Sequence, residues 1–151
     1  MLASATHGNV NWSGDRFTLD QVFQTPDFIH YFSPWPGPGD FGFVADNEEQ
    51  SPVGVAWLRC FTATDPGYGF VDAAFPELSI WVSAGQRGVG VGTLLLISLL
   101  EEARVRDLPG VSLSVEQGNP ARALYERFGF APAGSEFDQG TLMRRFDRNN
   151  A

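Results

Sequence analysis

Arg87-Gly88-Val89-Gly90-Val91-Gly92 stands between an extended apolar run, Glu77 to Ser83, and a strongly apolar segment, Leu94 to Leu100. Glycine at three alternate positions leaves the backbone without side-chain cover where a strand hands over to a helix. The N–H groups of a first helical turn have no acceptor within the helix, and the helix dipole adds partial positive charge there. Such an end takes an anion, and a pyrophosphate engages several N–H groups at once. A glycine-rich turn without a ligand is the alternative reading of these six residues. The commoner phosphate loops are excluded. A dinucleotide fingerprint has glycine at its first, third and sixth places, and the sixth residue from Gly88 is Thr93; a Walker loop needs lysine before Ser or Thr. The chain has no lysine, its ten basic residues all being arginine. Schiff-base chemistry goes with it.

Asn119-Pro120-Ala121-Arg122-Ala123-Leu124-Tyr125-Glu126-Arg127-Phe128-Gly129-Phe130 reads as a short, complete helix. Asn119 suits the N-cap, Pro120 the first helical position and Gly129 the left-handed residue past the end. Ala121, Leu124, Tyr125 and Phe128 recur at i, i+3, i+4 and i+7, which predicts one buried face. Arg122 and Glu126 form an i, i+4 pair on the other. Tyr125 then points inward with a hydroxyl that needs a partner, as a core tyrosine or as something more.

Taken together, the two segments resemble the GNAT superfamily of acetyl-CoA-dependent N-acetyltransferases. Arg87-x-x-Gly90-x-Gly92 looks like its pyrophosphate-binding signature, and Asn119 to Phe130 looks like its second signature, with Ala121 and Ala123 straddling the usual alanine. The resemblance is clear from Glu77 to Phe130 and implies an α/β (α+β) fold: a mixed, mostly antiparallel central sheet flanked by helices. It implies acetyl-CoA as cosubstrate, with Arg87, Gly88, Val89, Gly90, Val91, Gly92 and Thr93 at the pyrophosphate. The backbone of Ile80, Trp81 and Val82 would lie along the pantetheine arm, with Arg122 and Arg127 near the phosphates. Asn119 is a cap, a cofactor contact or both. Tyr125 corresponds to the acid that protonates the leaving thiolate. Glu77 is the expected base for the acceptor ammonium, with Asp72 and Glu116 behind it. The family usually opens with a strand, but only Asn9 to Trp12 offers one before Thr18, so that strand is expected to be short or missing.

The remaining sequence fits one domain over residues 16–151 after a loose tail over 1–15. Thr18-x-x-Gln21 resembles a capping box, and Thr25-Pro26 restarts a helix through Tyr31. Pro34 to Asp40 must be loop. Strands are expected at Phe41 to Ala45, Val53 to Cys60, Val111 to Val115, Ala131 to Ser135 and Thr141 to Phe146. Leu94 to Leu100, apolar nearly all round, predicts burial against the sheet. Cys60, the single cysteine, reads as a packed small hydrophobe and suits a reducing cytoplasm. A net charge of −8 disfavours nucleic acid and would draw cationic amines. No apolar run reaches membrane-spanning length and no signal peptide is evident. Two histidines, His7 and His30, and one cysteine give no metal site.

Trp35, Trp57, Tyr68, Phe70 and Trp81 could line an acceptor cleft or fill the core. The loop around Trp35 and the segment Thr62 to Phe70 are the expected pocket walls. The expected partner is an amine-bearing small molecule or peptide, with a homodimer as the assembly to test. A non-catalytic acyl-CoA-binding sensor of the same fold is the competing function.

Overall fold

The computed structural model describes residues 1–88 and 90–147. One six-stranded sheet flanked by helices runs in the order Phe41–Asp46, Pro52–Arg59, Glu77–Val82, Gly110–Ser114, Thr141–Arg145 and Ala131–Pro132, numbered β1, β2, β3, β4, β6 and β5 by chain position. The chain divides into two compact units, residues 1–59 with 79–99 and residues 60–78 with 100–151.

The first unit opens with α1 (Leu2–Val10), which corrects the loose tail expected over residues 1–15 and the strand at Asn9 to Trp12. No apolar stripe announces this helix, because the residues it buries, Ala5 and Thr6, are small. Its stability comes from packing, which overrides the weak propensity of Gly8 and Asn9. Ala5 joins Val55 and Trp57 in a core against which Leu2, Trp35 and Trp81 pack. Asn11 closes the segment: its amide donates to the carbonyls of His7 and Phe17, at 2.8 and 2.9 Å, and its Oδ1 accepts from Phe17 N at 2.8 Å. His7 Nε2 donates to that same Phe17 carbonyl at 3.0 Å.

α2 (Leu19–Gln24) starts on the expected capping box, with Thr18 Oγ1 accepting from Gln21 N and Gln21 Oε1 accepting from Thr18 N. Pro26 begins α3 (Pro26–Ile29). β1 (Phe41–Asp46) and β2 (Pro52–Arg59) form an antiparallel hairpin with Phe41 opposite Leu58 and a register shift at Ala45/Asp46. Val53 to Arg59 are buried without alternation, as in a strand covered on both faces. Cys60, just past β2, is exposed, which corrects its reading as a packed residue. The chain leaves the sheet there.

Arg59 ends β2 as a buried cation. Its Nε donates to His30 O at 3.0 Å, and its Nη1 donates to Pro34 O and, at 3.0 Å, to Asp40 Oδ2. Asp40 Oδ2 also accepts from Gly37 N at 2.8 Å, and the Trp35 ring lies 5.8 Å from the guanidinium carbon. One ion pair thus fixes the proline loop that the sequence could only read as irregular. Removing one partner strands the other charge, so Arg59→Ala is expected to cost about 3–5 kcal/mol. Urea unfolding measures this. A midpoint within error of wild type would show that the pair contributes no net stability.

β3 (Glu77–Val82) passes from the second unit into the first, and α4 (Val91–Val105) passes from the first into the second. Leu95, Leu96 and Leu99 of α4 are buried, but Leu94 and Ile97 are 61% and 39% exposed. The segment expected to be buried against the sheet is thus buried on one face, and these two apolar residues lie on the other.

In the second unit β4 (Gly110–Ser114) pairs antiparallel with β6 (Thr141–Arg145), Ser112 lying opposite Met143. β5 is only Ala131–Pro132, shorter than the predicted run to Ser135, and pairs with β6. β3 meets β4 in parallel at Glu77 and Ser112. Among the described residues no strand precedes Phe41, as expected for a short or missing first strand. No helix is long and apolar enough to cross a membrane among the described residues.

Candidate active site

In the first unit β3 ends at Val82, and a 3₁₀ turn (Ala84–Gln86) leads to Arg87 in extended conformation. Gly88 and Gly90 have φ of +81° and +89°, the left-handed region in which a side chain is strained. α4 starts at Val91, and Leu94 N is the amide that donates to Gly90 O, at 3.0 Å. The N–H groups of Val91, Gly92 and Thr93 therefore precede the first intrahelical bond. A Cβ at Gly88 or Gly90 would meet nothing within 4 Å, so the turn presents bare backbone. Arg87 is exposed, with Nε donating to Val82 O at 3.2 Å. Ile80, Trp81 and Val82 are half-buried. Val89, expected at the pyrophosphate, lies outside the described residues.

In the second unit α5 (Ala121–Arg127) follows Asn119 and Pro120. The helix begins one residue later than predicted, which puts Pro120 at the N-cap in place of Asn119, whose Oδ1 accepts from Ala121 N at 3.0 Å just ahead of the helix. Gly129 takes φ +85° beyond the last turn, as read from sequence. Arg122 Nε lies 3.8 Å from Glu126 Oε1, and its Nη1 donates to Gln139 O at 3.2 Å. Arg127 is exposed. Tyr125 is buried, its ring 6.0 Å from that of Phe130. Burial pushes its phenol well above the ordinary tyrosine value, so it carries a proton throughout the neutral range.

Glu77, expected as base, is 3% exposed. Its Oε1 accepts from Gly69 N at 2.9 Å. Ser112, in register with it, is fully buried, with no hydrogen-bond partner for its hydroxyl among the described residues. Asp72 and Glu116, the fallback carboxylates, are both exposed. Of the five aromatics, Trp57 is core, donating to Tyr31 O at 2.9 Å, while Trp35, Phe70 and Trp81 are half-buried and Tyr68 is 57% exposed.

Gly69 was not singled out by the sequence reading. A Cβ there would come within 2.4 Å of the Leu113 carbonyl carbon and 2.6 Å of Ser114 N. The available signal is the pair of glycines flanking Tyr68, within the segment expected as a pocket wall. Among the described residues no group of three or more His, Cys, Asp or Glu side chains could hold a metal.

Residues 9–130 match the acetyltransferase (GNAT) family. The chain is 33% identical over 114 residues to phosphinothricin N-acetyltransferase of Streptomyces coelicolor, covering 75% of this chain and 64% of that protein. It is 30% identical to streptothricin acetyltransferase of Streptomyces lavendulae, covering 93% of this chain and 77% of that protein. The chain thus spans less than two thirds of the first of these relatives. In fold it is similar to a GNAT-family acetyltransferase of Staphylococcus aureus Mu50, with TM-score 0.69 and 17% identity, covering 97% and 91% of the two chains. The chain belongs to the acetyltransferase (GNAT) family.

Proposed function

We propose that this chain is an N-acetyltransferase that moves an acetyl group from acetyl-CoA to the primary amine of a small molecule in the cytoplasm. The observation that carries the proposal is the bare turn from Arg87 into α4. Its left-handed glycines and the N–H groups of Val91, Gly92 and Thr93 suit a pyrophosphate. The exposed guanidinium of Arg87 adds charge beside them, and the polar backbone of Ile80 to Val82 suits an amide-bearing arm. Arg122, Arg127 and Asn119 are assigned to the same ligand. Bound acetyl-CoA supplies an acetyl group activated as a thioester.

The protein's part is to bind, to orient and to manage protons. The amine nitrogen forms a bond to the acetyl carbon as the carbon–sulfur bond breaks. An ammonium acceptor first gives one proton to solvent; the amine nitrogen then loses a second as the sulfur gains one. Tyr125, held protonated by its burial, is assigned as the donor to sulfur. Glu77 is assigned to the acceptor side of the transfer. The acidic net charge favours a cationic acceptor, and two relatives are named for the acetylation of phosphinothricin and streptothricin.

The test is thiol release from acetyl-CoA with phosphinothricin, streptothricin or a peptide with a free amino terminus as acceptor. Amine-dependent thiol release, matched by acetylated product, is the expected result. Calorimetry that detects CoA binding without any turnover would make the chain a binding module. Absence of CoA binding would end the proposal.

A further inference from the structure

We propose that Glu77 is a positioning residue: its carboxylate fixes Gly69 and so presents Tyr68 to the acceptor at the carboxyl end of β4. The inference rests on the acetyl-transfer reading above. The segment Gly67 to Phe70 is clamped from two sides. On one side Glu77 Oε1 accepts from Gly69 N at 2.9 Å in a buried bond. On the other, Gly69 lies so close to Leu113 and Ser114 of β4 that a Cβ would clash with their backbone at 2.4 to 2.7 Å. Phe70 N donates to Gly67 O at 3.2 Å and closes a turn between.

Burial divides this turn sharply. Gly67 and Gly69 are buried, whereas Tyr68 between them is 57% exposed. A turn spends conformational entropy to hold one aromatic ring out toward solvent, and its anchor is the buried carboxylate. Ligands of open sheets gather beyond the carboxyl ends of parallel strands. β4 runs parallel to β3 at Glu77 and Ser112, and Leu113–Ser114 is its carboxyl end. A rigid aromatic there can pack on an amine-bearing small molecule at little entropic cost. By contrast, a carboxylate 3% exposed is poorly placed to meet an ammonium ion arriving from water. The geometry favours holding the loop over taking the proton.

Two substitutions separate these roles. Glu77→Gln keeps an oxygen that accepts from Gly69 N–H, and Glu77→Ala has none. Amide hydrogen exchange at Gly69, followed by NMR, reports the clamp directly. Steady-state kinetics use whichever of phosphinothricin, streptothricin and the free-amino peptide wild type turns over fastest. Glu77→Ala is expected to speed Gly69 exchange at least about tenfold, as loss of a hydrogen bond to a charged acceptor implies. It should raise KM for the amine with kcat little changed. Tyr68→Ala should raise the same KM, and the double variant should be no worse than the single ones, because both act through one ring.

Glu77→Gln should keep Gly69 exchange at the wild-type rate, because its amide oxygen still accepts from Gly69 N–H. Loss of turnover in Glu77→Gln with recovery at alkaline pH would instead make Glu77 the base and overturn the proposal. Unchanged Gly69 protection in Glu77→Ala would overturn it too, as would additive effects of Glu77→Ala and Tyr68→Ala. Where Glu77→Ala does not fold, Glu77→Met fills the volume without an acceptor and replaces it. Wild type that fails to bind CoA in the calorimeter strikes the acetyl-transfer reading, while Gly69 exchange still decides the clamp.

Discussion

Gly92→Asp is expected to weaken CoA binding by about 100-fold or more while leaving the protein folded. Gly92 lies in the first turn of α4, so an aspartate there meets no left-handed strain, unlike at Gly88 or Gly90. Near a helix N-terminus a carboxylate is even mildly stabilising, by about 0.3–1 kcal/mol. In binding the sign reverses, because the carboxylate sits where the pyrophosphate is proposed to be. Like charges brought together cost several kcal/mol, and each 1.4 kcal/mol is tenfold in affinity. Stability and binding thus move in opposite directions. Calorimetry with CoA and thermal unfolding of the same sample resolve the two. A folded Gly92→Asp protein with wild-type affinity would move the anion site elsewhere.

Tyr125→Phe is expected to lower turnover by about 10² to 10⁴, the usual contribution of a general acid, with CoA affinity nearly kept. The substitution removes one oxygen from a buried ring, so packing against Phe130 survives. Burial raises the phenol above its ordinary value, and linkage gives a second readout. Below about pH 10 the phenol is protonated whether the chain is folded or not. As pH rises from there through the raised folded value, the unfolded state loses its proton first and wild type loses stability. The Tyr125→Phe protein lacks this loss and should fall less steeply above about pH 10. Wild-type turnover in the variant would return Tyr125 to a purely structural role, and the alkaline comparison would still report its burial.

The parts of the fold written in local chemistry were legible. α5 could be placed to within one residue because its signals, Asn119, Pro120 and Gly129, sit at its own ends. The capping box at Thr18 and the strand-to-turn-to-helix passage at Arg87 are of the same kind. α1 was not legible, since the burial of Ala5 is decided by Val55 and Trp57, which no local pattern reveals. Arg59 and Asp40 likewise find each other only once β2 and the proline loop are in place. At the site, residue types were readable and surroundings were not. Tyr125 was expected to point inward, and it does. Glu77 was expected beside the acceptor, but its contact with Gly69 depends on how the intervening loop folds back. Leu94 and Ile97 show the same limit, for an apolar helix does not say which of its faces the sheet will cover.

The first compact unit is stitched from residues 1–59 and 79–99, and this has a consequence for synthesis on the ribosome. Val53 to Leu58, nearly inaccessible in the finished protein, emerge with β1 and the preceding helices for company but without the later segments that complete their cover. α4, whose Val91 and Leu95 side chains lie against Gly54 of β2, is still untranslated. Its portion from Val91 to Leu99 is in place only once the 40 residues from Cys60 to Leu99 are made, a delay of roughly 2–8 s at about 5–20 residues per second. During that interval the most apolar strand of the chain is open to chaperones and to other nascent chains. Slower translation between Cys60 and Leu99 is therefore expected to lengthen that exposure and lower soluble yield.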